Sequence, residues 1–475
     1  MKFSVKNLGP IQEGTISFEK PLTVLVGPNS SGKSYISYLV YGVLQHQVYY
    51  SKPSLKTVKF ILKNLEEFEA EQYRFRLSNI SKLINTALTS TVLNSIKNAI
   101  PTFFASKKLQ PQLQLEIGDK QLDAFVSNIK NASEQYEYKQ HMTQLRIDDN
   151  YIYKGEAGWC APTNDERKAF CVALKEFLSR SLNKVIIKDI YLPTNPSSVV
   201  QFFPAERLAL GMLSNDEVER KSKKLDKISE LLLEDDVDEF SVAEYFRKSR
   251  NEEPKYPLAI NDYMYFINGL KDLKEQSSKF AFFADEIQSM LMTGKVTVSE
   301  YGKIIYTPNP DVEPLSLHLS SSLVKSLSGL IVYFRHEAKE GDTIIIDEPE
   351  VNLHPDNQRI VARILAKAVK LGFRLIVSTH SDYIIRELNN LILLDSIYED
   401  TASQEEILKE YRSKGYDEST RLNKDDLAVY YFIDNTIKAL PVNEYGFEVS
   451  SIDNEVHKLN EATDDFYAKL RELES

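Results

Sequence analysis

The chain has 475 residues, 42% hydrophobic and 27% charged, with a formal net charge of −11. That composition is ordinary for a globular protein, and the length exceeds one simple core, so two or three units are expected. The acidic balance disfavours nucleic acid over the whole surface but leaves room for a local basic groove. No apolar run reaches the roughly 18 residues that span a bilayer, and the strand-like opening Met1-Lys-Phe-Ser-Val-Lys-Asn7 has no signal-peptide core. Cys160 and Cys171 are the only cysteines, which excludes a disulfide framework and a cysteine-based metal site. The expected compartment is the cytoplasm, with no membrane partner.

Residues 1–50 predict strands at Phe3–Val5, Gly14–Phe18 and Leu22–Val26, the last running into Gly27-Pro28-Asn29-Ser30-Ser31-Gly32-Lys33-Ser34. A helical pattern follows, with Ile36, Leu39, Val40, Val43 and Leu44 as its apolar positions, and Pro53 marks its end. Strand, glycine loop, GK[ST] and helix form the P-loop arrangement. Gly27 and Gly32 let backbone N–H groups turn toward phosphate oxygens. Lys33 supplies a point charge to the β- and γ-phosphates, and Ser34 a hydroxyl to Mg²⁺. The dipole of the following helix adds to this anion site.

Residues 51–187 change character and read as an inserted α+β region. Helical periodicity runs through Leu65, Phe68, Leu77, Ile80, Leu83 and Ile84, then Val92, Leu93, Ile96 and Ile100. Leu113, Leu115 and Ile117 alternate as a strand, and a further helix is expected from Glu166 to Leu182. Residues 188–207 return to the core with the buried strand Val199-Val-Gln-Phe-Phe203, ending at Pro204-Ala-Glu-Arg207. Glu206 and Arg207 there are placed either beside a nucleotide site or in a surface ion pair, and spacing alone leaves both open.

Residues 208–294 are charged and helix-rich. A basic cluster (Arg220, Lys221, Lys223, Lys224, Lys227) precedes an acidic one (Glu234, Asp235, Asp236, Asp238, Glu239), and Pro254 and Pro257 divide two limbs. A limb of about 30 residues would reach roughly 45 Å, a short helical arm. The basic cluster reads first as a solvated helix face.

Residues 295–392 complete the core. A hairpin turns at Tyr301-Gly302, and Leu319-Ser320-Ser321-Ser322 opens a helix with Leu323, Leu327, Leu330, Ile331 and Phe334 on one side, where serine is a natural N-cap. Thr343-Ile-Ile-Ile-Asp347-Glu348 is an apolar run ending in two carboxylates. The helix Asp356–Leu371 leads to the strand Phe373–Val377 and Ser378-Thr-His380-Ser381. Strands separated by helices indicate an α/β layer with a largely parallel sheet. Two adjacent acids are costly to bury unpaired. Beside a P-loop, Asp347 can hold Mg²⁺ through water, Glu348 can orient the attacking water, and His380 can bond the γ-phosphate. In residues 393–475, Leu427–Ile433 reads as a strand and the tail from Asn454 as an amphipathic helix.

The order GPNSSGKS, LSSS plus helix, IIIDEPEVNLHP and VSTHSD resembles the heads of ABC-type ATPases. VKNLGPIQEGTISF, FFPAER and DEPEVNLHP…STHSDYIIREL are similar to the OLD/SMC-like branch and to ATPase subunits of bacterial anti-phage systems (PARIS- or Septu-like). The resemblance covers residues 1–50, 199–207 and 296–392. It implies an ABC-type P-loop ATPase head that binds ATP and Mg²⁺, with Ser320 and Ser322 as signature serines reaching the γ-phosphate held by a second subunit. The partners implied are a second copy, as a homodimer or higher oligomer, and a separate effector protein such as a nuclease or toxin. Gln201 is the candidate for a metal-side glutamine. Ser321 and Ser322 stand where transporter motors carry two glycines, Leu323 where they carry glutamine, and Asn352-Leu-His354 replaces an aspartate-ending loop. These departures argue against a transporter subunit. The residues after His380 are too few for the metal-dependent nuclease domain of OLD nucleases, so an ATPase-only chain is expected. The alternative is a DNA-repair ATPase of the RecF or chromosome-scaffold type, for which DNA would be a direct ligand.

Overall fold

The computed structural model describes residues 2–49, 74–76, 93, 96–116, 133–138, 141–147, 151–154, 199–210, 255–400 and 405–474. The expected helix at 166–182 and the charge clusters at 220–239 lie outside the described residues. The chain divides into two compact units, Met1–Val5, Val43–Ala99 and Gln112–Pro196 forming the first, and Lys6–Gly42, Ile100–Pro111 and Ser197–Ser475 the second.

Strands β1 (Lys2–Leu8), β2 (Ile11–Ser17) and β3 (Leu22–Val26) precede helix α1 (Lys33–Tyr49). Then come β4 (Arg74–Arg76), β5 (Gln112–Glu116), β6 (Ser133–Tyr138), β7 (His141–Ile147) and β8 (Tyr151–Lys154). The second unit resumes with β9 (Val200–Phe203), α2 (Leu258–Asn268), α3 (Ala281–Leu291), β10 (Lys295–Val298), β11 (Ile304–Thr307), β12 (Leu315–Ser316) and α4 (Ser322–His336). It ends with β13 (Thr343–Asp347), α5 (Pro355–Lys370), β14 (Arg374–Thr379), α6 (Asp382–Asp400), α7 (Glu405–Ser413), β15 (Leu427–Ile433), β16 (Thr436–Leu440) and α8 (Ser450–Glu474).

In the first unit, β4, β8, β7 and β6 form an antiparallel sheet in that order. Of the helical run expected from Leu65 to Ile84, only 74–76 is described, and it is the strand β4. Residues 96–104 are helical and β5 is a strand, as their patterns indicate.

In the second unit, strands follow in the order β2, β16, β15, β3, β14, β13, β9. From β15 to β9 every neighbour is parallel, so the fold is α/β with a mixed, mostly parallel sheet. The continuous apolar runs of β3 and β13 fit this position, since every residue of both is buried. β15 and β16 form an antiparallel hairpin around Asp434 and Asn435, whose φ angles of 49° and 56° suit the type I′ turn of a two-residue hairpin. The strand at 427–433 therefore belongs to the sheet that carries the P-loop, directly beside β3.

Consecutive strand residues point to opposite faces, so the sheet is covered twice. On one face, Phe202 of β9 packs against Tyr38 and Tyr41 of α1, each with ring centroids 5.4 Å away. On the other, Phe203 meets Tyr263, Phe266 and Tyr333 edge-on at 5.9, 6.4 and 5.8 Å. The second limb of the expected arm, α2 and α3, is part of this layer. Phe283, Ala284 and Ile287 are fully buried, and Phe283 stands 4.9 Å from Phe334 of α4. Their apolar stripe is long enough to require a partner, and α4 supplies it. Asp342, at the entry to β13, accepts hydrogen bonds from Val199 N (2.6 Å), Tyr333 Oη (2.6 Å) and Lys339 N (2.7 Å). One carboxylate thus joins β9, α4 and β13. Among the described residues, no helix is long and apolar enough to cross a membrane.

Phe203 lies at the centre of an aromatic layer on which the sheet rests. Phe203→Ala is expected to cost about 3–5 kcal/mol, read as a lower urea midpoint by circular dichroism. Tyr301→Ala, at a largely exposed position between β10 and β11, should change stability by less than about 0.5 kcal/mol.

Candidate functional site

The register of the parallel strands brings three chain ends to within one residue of level. Val26 pairs with Thr379, and Ser378 with Asp347. The next residues, Gly27, His380 and Glu348, therefore leave the sheet side by side at its C-terminal edge, where open α/β sheets bind ligands.

The loop from Gly27 to Ser34 is built around two glycines with positive φ, 149° at Gly27 and 103° at Gly32. A Cβ at Gly27 would stand 2.6 Å from the carbonyl oxygen of Phe432, and one at Gly32 would stand 2.6 Å from Ile11 Cγ1. Pro28, Asn29 and Ser30 are exposed at the tip. Lys33 is buried, and its Nζ donates to the carbonyls of Gly27 (2.9 Å) and Pro28 (2.8 Å). Burial pushes its pKa down, while Glu348, Asp347 and Glu350 pull it up.

Asp347 is 1% exposed and accepts hydrogen bonds from the hydroxyls of Ser378 and Ser34. Burial raises its pKa to about 6 in spite of those two bonds, and Glu348 and Glu206 add to the rise. Glu348 sits in the left-handed region, at φ 47°. Its N–H donates to Ser378 O (3.0 Å) and to Ser378 Oγ (3.2 Å). The imidazole of His380, 40% exposed, has Nδ1 3.5 Å from Glu348 Oε1 and 3.4 Å from Glu350 Oε1. The hydrogen bond between Glu348 and His380 holds the carboxyl below its ordinary value and raises the imidazole above its own.

Two residues that the sequence reading did not assign to this site support it from beneath. Glu350 is buried and accepts from Thr379 Oγ1 (2.7 Å) and His380 N (2.8 Å). Among the described residues its Oε2 has no hydrogen-bond partner. Arg207 is buried and uses all five N–H donors on carbonyl oxygens: Ser326 (2.8 Å), Pro204 (2.9 Å), Asp347 (3.1 Å), Glu348 (3.1 Å) and Pro349 (3.2 Å). Of the two readings open for Glu206 and Arg207, a surface ion pair does not form. Glu206 is exposed, and the guanidinium is spent on backbone. The available signals were the second acid of Asp-Glu-Pro-Glu and a basic residue closing an apolar strand.

The three serines before α4 take different positions. Ser321 is the N-cap, its Oγ accepting from Val324 N at 3.4 Å. Ser320 is buried with Oγ donating to Ser316 O (3.4 Å), and Ser322 is exposed at the first turn. Farther along α4, Ser326 Oγ donates to Val351 O (3.0 Å), tying the helix to the loop after β13. Gln201 is not gathered with these groups. It pairs with Ile344, three residues before Asp347, which puts it about 10 Å back along the sheet. Its amide donates to Phe202 O at 3.3 Å. A glutamine in mid-strand does not reach the sheet edge, so Gln201 does not stand with the metal-side residues as expected.

These side chains fit a nucleoside triphosphate with Mg²⁺. The glycine cradle is one that Cβ atoms would fill, and buried Ser31 Oγ has no hydrogen-bond partner among the described residues. Ser34 and Asp347 are adjacent hard oxygen donors. Among the described residues no group of three or more His, Cys, Asp or Glu could hold a metal. Mg²⁺ here would complete its shell with phosphate and water.

Sheet order and strand ends define an ABC-type P-loop ATPase head. The chain belongs to the AAA ATPase domain family, whose sequence model matches residues 1–385. Similar solved structures include the Smc head domain of Pyrococcus furiosus with an extended coiled coil, bound to the C-terminal domain of ScpA. It is 13% identical, covers 97% of this chain and 98% of that one, and has a TM-score of 0.32. The SMC head domain from Thermotoga maritima is 12% identical, covers 93% and 98%, and has a TM-score of 0.30. No curated protein matches the chain.

Two expectations follow from the geometry. Lysine in place of Arg207 offers three donors where five are used, so Arg207→Lys should lower kcat at least ~10-fold while ATP affinity changes less than ~3-fold. Steady-state kinetics with nucleotide titration calorimetry separates the two. The second concerns pH. Stability from the His380–Glu348 contact is fully present below the ordinary imidazole value of 6.5 and is lost as pH rises through the raised folded value. On the acid side it holds above 4.5 and is lost as pH falls through the lowered value of Glu348. In Glu348→Gln, the pKa of His380 followed by NMR of its ring protons should fall toward the ordinary value. An unchanged pKa would mean that Glu348 does not set it.

Proposed function

We propose that the protein binds and hydrolyses Mg·ATP at a site completed by a second copy of the chain. The observation that supports this most is the side-by-side exit of Gly27, Glu348 and His380 from three adjacent parallel strands. In this reading the loop Gly27–Ser34 wraps the phosphates, with Lys33 on the β- and γ-oxygens, and Ser34 and Asp347 hold Mg²⁺. The bound ion supplies charge neutralisation. Glu348, kept ionised by His380, accepts a hydrogen bond from the attacking water, and His380 is positioned to donate to the γ-phosphate. Arg207 fixes the carbonyls of the turn on which Glu348 rides.

The composite site rests on Ser320 and Ser322. An exposed helix N-terminus preceded by serines is suited to an anion, and at α4 it faces outward at Ser322. Together with the motif order, this supports a head-to-head dimer in which α4 of one copy reaches the phosphate on the other. We further propose that ATP state controls a separate effector, a nuclease or toxin, in an anti-phage setting. Support comes from the resemblance of GPNSSGKS, FFPAER and DEPEVNLHP to that branch. A folded first unit that the hydrolytic site does not need is consistent with it.

Ser322→Arg, at the exposed position of the pair, should abolish turnover while leaving ATP binding intact. Mixed with Lys33→Ala, it should recover about a quarter of wild-type turnover, since half the dimers then hold one competent site of two. Mixtures no more active than either parent, with heterodimers shown by differential tags, would refute the composite site. The effector is tested by pull-down from cells with wild-type and Lys33→Ala protein, with and without ATP. Nucleotide-dependent recovery of a nuclease or toxin supports control of an effector. Recovery of DNA alone, with salt-sensitive stimulation of turnover by DNA, assigns the protein to repair instead.

A further inference from the structure

Helix α8 carries a surface that the hydrolytic site does not use. Its described side chains from 458 to 471 are exposed almost throughout, with Leu459 67%, Phe466 73%, Tyr467 62% and Leu470 55% accessible. Ile452, Val456, Leu459, Thr463, Phe466, Leu470 and Leu473 follow one another along it at alternating steps of four and three. That is an unbroken seven-residue repeat over three heptads. Over three heptads a 3.5-residue repeat drifts only about 60° from the turn of a straight helix, so these positions stay on one face, the arrangement by which one helix pairs with another. Leu459, Phe466 and Leu470 lie on this line with more than half of their surface accessible, which is costly to leave in water.

We propose that α8 pairs with α8 of a second copy in an antiparallel coiled coil, which holds two chains together without nucleotide. The seam favours that orientation. A parallel pair would set Thr463 against Thr463 and Phe466 against Phe466. The antiparallel pair centred near 461 sets Thr463 against Leu459 and Phe466 against Val456, so large and small alternate across it. Its flanking positions agree, because Glu455 and Lys469 then fall opposite each other at both ends, with Ala462 against its own copy between them. Opposite charges at flanking positions set partner and orientation in coiled coils. The helix dipoles also oppose favourably when the two helices run in opposite directions. Six seam positions, Ile452 to Leu470, pair between the two helices, a modest interface, so the association is reversible. It is separate from the ATP-dependent contact proposed above and does not rest on it.

The test is sedimentation velocity on the full chain, without nucleotide and with EDTA, over about 0.5–50 μM, concentrations spanning the affinity of a short coil. A monomer–dimer equilibrium is expected. Leu459→Asp with Phe466→Asp should remain monomeric with an unchanged melting midpoint, because both side chains are exposed. Lys469→Glu should weaken the dimer several-fold, and Glu455→Lys added to it should restore wild-type association. A wild-type chain that stays monomeric throughout would overturn the proposal, α8 then being left for another protein's helix. Dimers unaffected by the double aspartate variant would overturn it as well. A charge swap that fails to restore association would overturn the antiparallel register.

Discussion

A buried guanidinium bonded only to carbonyl oxygens holds this site together. Arg207 takes the carbonyls of Asp347, Glu348 and Pro349, that is, of the turn leaving β13, while Ser378 takes the N–H of Glu348 from the other side. Glu348 has a backbone angle that L-residues adopt at a cost of about 1–3 kcal/mol and keep only where the surroundings fix it. Here they fix it from both sides. The same guanidinium reaches Ser326 of α4, so the turn bearing Glu348 and the helix opened by Ser320–Ser322 are joined through one side chain. That guanidinium is a bonded link between the start of α4 and the acid.

Electrostatics at the strand ends follow a similar logic. Asp347 is dry enough that burial lifts its pKa, and only two hydroxyls offset the cost. A cation beside Ser34 would favour its charged form and reverse that balance. Glu348 is less buried and has His380 beside it, so it stays ionised. Two neighbouring carboxyls thus acquire different character from environment alone, one suited to hold a cation and one to accept a hydrogen bond.

The parts of this arrangement legible in the sequence were those with local signatures. Leu22–Val26, Thr343–Asp347 and Phe373–Val377 are apolar runs closed by polar chemistry, and the glycine loop has fixed spacing. Their register could not be read, but parallel pairing of such strands leaves little choice about which ends coincide. The place of Leu427–Ile433 beside β3 was not legible, because it depends on pairing across some 400 residues of chain. Residues 258–291 read as the second limb of a projecting arm because the charge clusters at 220–239 set the character of the whole segment. Phe283, Ile287 and Leu291, spaced on one side, decided the matter in favour of packing. Gln201 was misplaced because a polar residue in an apolar strand invites a functional reading, whereas its depth in the strand is a matter of register. Spacing left Arg207 either beside the nucleotide site or in a surface ion pair, and only its five carbonyl partners explain why it is buried.

The central claim is that the acid at the end of β13 acts on a nucleotide held by a separate, intact cradle. Calorimetry of Mg·ATP binding and single-turnover hydrolysis, both on Glu348→Gln, test it together. Affinity should stay within ~3-fold of wild type while hydrolysis slows at least ~100-fold. Hydrolysis near the wild-type rate would contradict the account.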